Sequence, residues 1–337
     1  MDISWPTGAA TGVGSMPGDD PLEAALLIAG ELPDLVHVPE LPGRGPGSGM
    51  VGRATAMLVD LHVDLQPSGW RITPRGGLDE RRARDLLARD LDALEIAYLG
   101  YSGVLKLQVT GPWTLAAGVE LPRGDRVLRD PSARRDLHAS LAEGVAAHVT
   151  EVARRVPDAS LVVQLDEPSL PAVRAGHVPT ASGFGALPAV PDADLASALA
   201  EVGQHSGAPF GVHCCAAQVP LAVLRSVRPD FVAIDISRLS PRVDYEDLAG
   251  LTDDGARLLL GVLPGVDTDL GGTTVAQVAA PVRRLWRDLS YPPERLATQV
   301  VLTPSCGLAG ASPDYVRSVL TRLREAARSL AEAPEES

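Results

Sequence analysis

The sequence is poor in cysteine, nearly devoid of lysine and free of long apolar runs. Its 337 residues include three cysteines. A secreted scaffold stapled by disulfides needs many in pairs, so an odd three argues for a reducing compartment with thiols free for chemistry. Among 30 basic residues only Lys106 is a lysine, and 43 acidic residues outweigh them for a formal charge of −13. That balance leaves no broad basic footprint and excludes nucleic acid as an expected partner. No uninterrupted apolar stretch approaches the roughly 20 residues of a membrane span. Met1 to Asp20 carries no basic region followed by an apolar one, so the expected location is the cytoplasm, with no membrane association. Hydrophobic residues make up 45% of the chain. They suffice for a sizeable core, and the length permits one large α/β barrel or two ordinary domains.

Eight short apolar, β-branched segments read as strands. They lie near Thr11 to Ser15, Leu35 to Val38, Val104 to Thr110, Leu161 to Leu165, Phe210 to Cys215, Phe231 to Asp235, Leu258 to Val262 and Gln299 to Leu302. Helical spacing separates most of them, clearest over Pro21 to Gly30, Leu78 to Leu99, Ser132 to Arg155, Asp192 to Val202, Pro220 to Ser226, Thr274 to Leu289 and Pro313 to Glu332. Eight strands alternating with helices predict a (β/α)8 TIM barrel in a single domain over residues 1–332, with a disordered tail over 333–337. A doubly wound open sheet is the alternative. Val51 to Pro74 fits neither element type and reads as a hairpin or a long loop over the barrel mouth.

The polar motifs cluster just after predicted strands, which in a barrel share the carboxyl face. In Phe210-Gly211-Val212-His213-Cys214-Cys215 the strand period turns His213 and Cys215 to one face and Cys214 to the other. With Cys306 in Pro304-Ser305-Cys306-Gly307, that face offers one imidazole and two thiolates, a donor set suited to Zn²⁺, and Asp235 is a fourth candidate ligand. Single buried cysteines and histidines are usually plain core residues. Two of three cysteines and a histidine together at strand ends favour the metal. In Gln164-Leu165-Asp166-Glu167-Pro168, Asp166 or Glu167 is placed to bind an ammonium group, to act as acid or base, or to cap the helix that follows. Thr11-Gly12-Val13-Gly14-Ser15 exposes backbone N–H groups suited to an anion such as a carboxylate, without the spacing of a nucleotide fingerprint.

Together these motifs resemble the catalytic barrel of the cobalamin-independent methionine synthase family. The resemblance rests on Val13-Gly14-Ser15-Met16-Pro17, Leu35-Val36-His37 with Glu40, Thr110-Gly111-Pro112, Gln164 to Pro168, His213-x-Cys215, Ile234-Asp235-x-Ser237-Arg238 and Pro304-x-Cys306-Gly307-Leu308, in the family's order across nearly the whole chain. It implies a TIM barrel in which zinc holds the sulfur of homocysteine while a methyl group moves onto it, giving methionine. It implies zinc ligation by His213, Cys215 and Cys306, with Asp235 where the family has a glutamate. It also implies that Val13, Gly14, Ser15, Glu40 and Asp166 hold the amino-acid head of homocysteine, with Asp166 and Glu167 in the catalytic cluster.

Two departures bear on the methyl donor. Full-length relatives carry a further N-terminal domain, whereas the first strand expected here already matches the catalytic barrel. The family's Asp-x-His element after the seventh strand is replaced by Gly261-Val262-Leu263-Pro264-Gly265-Val266-Asp267, with no histidine to protonate a folate nitrogen. A methylcorrinoid, free or on a corrinoid protein, leaves more readily than methyltetrahydrofolate without that help. The alternatives are a related zinc thiol methyltransferase or decarboxylase-like barrel acting on another substrate, and a non-catalytic barrel that binds zinc or an amino acid.

Overall fold

The computed structural model describes residues 4–335. Its strands are β1 (Leu35–His37), β2 (His62–Gln66), β3 (Gly69–Thr73), β4 (Val104–Thr110), β5 (Ser160–Asp166), β6 (Phe210–Cys214), β7 (Phe231–Asp235), β8 (Arg257–Leu263) and β9 (Val300–Pro304). The helices are α1 (Pro21–Glu31), α2 (Met50–Met57), α3 (Leu78–Ala97), α4 (Pro112–Gly118), α5 (Pro131–Arg155), α6 (Leu170–Ala175), α7 (Asp192–His205), α8 (Leu221–Val227), α9 (Pro241–Asp253), α10 (Val275–Asp288), α11 (Leu296–Gln299) and α12 (Pro313–Glu332). Seven parallel strands form one curled sheet in the order β1, β4, β5, β6, β7, β8, β9, with helices packed outside. The TIM-barrel class predicted from the alternating pattern is the observed one.

One stave differs from expectation. Thr11 to Ser15 forms no regular strand: Ala10 bridges Leu302 on β9, and Ser15 bridges Glu40 beyond β1. The segment thus crosses from one sheet edge to the other instead of running along either. Gly12 makes this crossing tight, since a Cβ there would lie 2.2 Å from the His37 ring. Val51 to Pro74 resolves into α2 followed by the antiparallel β2–β3 hairpin, which buries Val63 and Trp70.

Helix ends lie where capping chemistry puts them. Asp20 and Asp130 accept backbone N–H groups before Pro21 and Pro131, Ser312 does so before Pro313, and Thr274 with Gln277 forms a capping box. Of the tail expected after Glu332, Ala333 is held by a hydrogen bond from Arg283 to its carbonyl, at 2.9 Å. Residues 336 and 337 lie outside the described residues. No described helix is long and apolar enough to cross a membrane.

Strand alternation splits the barrel interior into two zones. Trp5, Leu35, Val104, Val162, Phe231, Ala233, Leu259 and Val301 form a dry floor, where Trp5 meets Phe231 edge-on at a centroid distance of 5.5 Å. Two residues further along β1, β4 and β5 the inward positions turn polar, with His37, Lys106 and Gln164 followed by Asp166, and His213 joins this zone from β6, all buried. The outward positions Leu105, Leu107, Val109, Val163 and Leu165 pack into the shell beneath the helices. A barrel interior dry at the base and polar at the carboxyl end is a built cavity floor.

Two buried histidines on α5 set an expected acid sensitivity. Burial lowers His148 to about 3 and His138 to about 4. Both therefore fold neutral while the unfolded chain takes up protons below about pH 6.5, so stability present above that pH is lost on acidification. Between about pH 6.5 and about pH 5 the loss should reach at most about 2 kcal/mol per histidine. Urea unfolding at both pH values checks this, and His148→Gln should flatten the difference. An equal pH slope in that variant would remove His148 as a source.

Candidate active site

The carboxyl ends of β5, β6 and β9, together with the Val13–Ser15 crossing segment, surround a cleft of about 260 Å³. Val13, Gly14, Ser15, Glu40, Asp166, His213, Cys215 and Cys306 all line it. The Sγ atoms of Cys215 and Cys306, from opposite ends of the sheet's second half, stand 3.3 Å apart. One proton shared between them draws Cys306 down to about 6 and pushes Cys215 up. Cys214, on the other strand face, is fully buried, and burial pushes its thiol up to about 12.

His213 completes the cluster from β6. Its Nδ1 lies 2.8 Å from Asp166 Oδ1, while its buried Nε2 has no hydrogen-bond partner. If Nδ1 carries the proton donated to Asp166, Nε2 presents a lone pair, the arrangement by which a carboxylate orients a metal-binding imidazole. Asp166 also accepts from Gln164 Nε2 at 2.7 Å, so one carboxylate oxygen collects two donors. Gly307 closes the wall beside Cys306, and a Cβ there would sit 1.9 Å from Ser15 Oγ.

Two expected participants are engaged elsewhere. Glu167 accepts from the N–H groups of Trp113 and Thr114 and from the Thr114 hydroxyl, all at 2.7 to 2.8 Å. These donors begin α4, so Glu167 is the cap at that helix start and does not line the cleft. Asp235 Oδ1 accepts from the Ser237 N–H and hydroxyl, and Oδ2 lies 3.6 Å from Arg238. It caps the short turn after β7 and is absent from the cleft wall. Accordingly, no group of three or more His, Cys, Asp and Glu side chains among the described residues is gathered closely enough to hold an ion as it stands.

Glu40 stands at the opposite wall. Its Oε1 lies 3.4 Å from Arg53, which also binds Asp90, itself paired with Arg44 at 2.7 Å. Burial pushes Glu40 up to about 7, against the lowering pull of Arg53. Arg53, Lys106 and the amide contacts of Gln164 are supports that motif reading passed over. The chain's only lysine, placed on the inward, alternating face of a strand, was the available signal for one of them.

Comparison with known proteins fits this geometry. The family model described as "Cobalamin-independent synthase, Catalytic domain" matches residues 8–329. The chain belongs to the cobalamin-independent methionine synthase catalytic-domain family. A B12-independent methionine synthase from a Shewanella species, solved with selenomethionine, is 13% identical, with a TM-score of 0.62 over 96% of this chain and 97% of that one. A D-psicose 3-epimerase from Clostridium cellulolyticum reaches a TM-score of 0.45 at 10% identity, over 97% of this chain and 99% of that one. No curated protein sequence matches. Within the methionine synthase family, this chain is a methyltransferase-type barrel whose sulfur-bearing strand ends meet in one cleft.

Proposed function

We propose that this barrel transfers a methyl group to the thiol of homocysteine, giving methionine, with zinc held by His213, Cys215 and Cys306. The observation that carries the reading is the convergence in one cleft of two sulfurs 3.3 Å apart with a buried imidazole nitrogen that has no partner. Soft thiolates and a neutral imidazole fit a borderline-soft ion. Asp235 would have to give up Ser237 to join them, so the proposed set is those three side chains with the substrate sulfur as the fourth donor. When bound, zinc supplies the Lewis acidity that keeps a thiol ionised near neutral pH.

The chain's own residues do the rest. Glu40 and Asp166 offer carboxylates to the substrate ammonium, and Ser15 with the Val13–Ser15 backbone faces its carboxylate. Held at both ends, the amino acid presents its sulfur to the cysteine pair in one orientation, so binding energy becomes alignment. Wall residues Met50, Pro42 and Pro168 exclude water on the other side. The free sulfur lone pair then attacks the donor methyl carbon as the bond from that carbon to its carrier breaks, the electron pair staying with the carrier.

The region after β8 supports a methylcorrinoid as the donor over methyltetrahydrofolate. It holds no histidine, and its two carboxylates are engaged locally: Asp267 accepts from the Ser312 N–H and Asp269 from the Gly271 N–H, both at 2.8 Å. Cleavage from folate nitrogen needs a proton donor there, whereas a corrinoid leaves without one. Zinc-loaded protein with homocysteine and either methylcobalamin or methyltetrahydrofolate, assayed for methionine by mass spectrometry, should respond to the corrinoid. Equal turnover of folate would overturn the donor assignment. Zinc and homocysteine binding without methionine from any donor would make this a binding barrel.

A further inference from the structure

We propose that Lys106 is a positioning residue of the amino-acid pocket, anchoring the Val13–Ser15 wall through the Val13 carbonyl and balancing the charges of Glu40 and Asp166. The inference rests on the methyl-transfer reading above and extends it to a residue that does not line the cleft.

Lys106 is the sole lysine in the chain and is fully buried, on β4 at the base of the polar zone. An ammonium group taken out of water must be repaid by hydrogen bonds and opposite charge. Its Nζ donates to Val13 O at 2.9 Å. Glu40 and Asp166 are the carboxylates whose charge acts on it, and they oppose the burial that draws it down to about 7. Gln164 Nε2 reaches the same Val13 carbonyl at 2.9 Å and also touches Asp166. Two donors on neighbouring strands therefore clamp one carbonyl, fixing the segment that carries Gly14 and Ser15 into the cleft wall.

Glu40 and Asp166 face one cleft, and the charge of Asp166 raises the cost of ionising Glu40 unless a cation offsets it. Arg53 serves Glu40 from one side but is itself shared with Asp90. Lys106 is the remaining buried cation acting on both. Every other basic residue in the chain is an arginine; the compact ammonium here meets a single carbonyl as a point charge, where a guanidinium would present five donors.

The test uses the zinc-loaded full chain. Lys106→Met should raise the homocysteine KM by about twentyfold or more, with kcat changed less than about threefold, because the lost contacts act on binding. Methyl transfer to propanethiol, which lacks the amino-acid head, should be unchanged. Lys106→Gln, which still offers a donor to Val13 O, should recover part of the loss. Equal losses for homocysteine and propanethiol, or an unchanged KM, would overturn the proposal. A second measurement needs no variant and no turnover: in protein labelled with nitrogen-15 lysine, the single side-chain resonance should shift with homocysteine and not with propanethiol. No shift in a protein that makes methionine overturns the Lys106 role alone. A shift in a protein that makes no methionine from any donor upholds Lys106 and overturns the methyl-transfer reading.

Discussion

Cys306→Ser should abolish methionine formation, by at least about a thousandfold in kcat/KM, or about 4 kcal/mol of transition-state stabilisation. A serine hydroxyl is not ionised near neutral pH and is a harder donor, so the proposed zinc set loses one of two thiolates. The fold should not follow. Cys306 is exposed, and an exposed substitution of similar size changes stability by roughly 0.5 kcal/mol or less. Activity and zinc content measured together with the thermal midpoint check all three parts. Cys214→Ser is the control: its sulfur is fully buried on the opposite strand face, so it should cost stability and leave zinc stoichiometry intact. Retained zinc and a rate within about tenfold of wild type in the Cys306 variant would remove Cys306 from the site.

Asp166→Asn should be the second most damaging change, because one carboxylate serves two parts of the site. It orients His213 through Nδ1 and gathers Gln164. It is also a proposed partner of the substrate ammonium. The amide keeps the volume and can still accept a hydrogen bond, so the change isolates the charge. Loss of the orienting anion should weaken zinc binding by about 10- to 100-fold. Loss of the ammonium partner should raise the homocysteine KM by about tenfold or more, since hydrogen bonds to a charged group contribute about 1.5–3 kcal/mol. Chelator competition reads the first effect and steady-state kinetics with saturating zinc the second. If both constants stay at wild-type values, Asp166 is a structural residue of β5 and nothing more.

Neighbouring carboxylates show where sequence reading stops. Asp166 and Glu167 are consecutive, and the strand period assigns them opposite faces, but it does not say which face looks into the barrel. The start of α4 decides it: its free N–H groups lie where Glu167 points, and they take that carboxylate as a cap. Asp235 is a similar case. Its place at the end of β7 was legible, yet the hydroxyl of Ser237, two residues on, competes for the same oxygen. Local capping chemistry of this kind is strong for acidic residues beside a turn, and here it occupies the oxygen that a ligand role would use.

The parallel strand core was legible for a different reason. Strands buried on both faces read as near-continuous apolar runs, and β4 through β9 carry them. The crossing segment was not, because Gly12 and Gly14 punctuate a stretch whose backbone is fixed by two remote bridges, at Leu302 and Glu40.

Sequence alone determined what depends on short-range period and local propensity. It set the barrel class, the helices beginning near Pro21, Ser132 and Pro313, the shared face of His213 and Cys215 with Cys214 opposite, and the family through motifs in order. Tertiary structure decided what depends on closure. Cys306 reaches within 3.3 Å of Cys215 across 91 positions of chain, and a lone lysine on β4 comes beneath the carbonyl of Val13, 93 positions earlier. Periodicity says which way a side chain faces. Only the curl of the sheet says what it meets there.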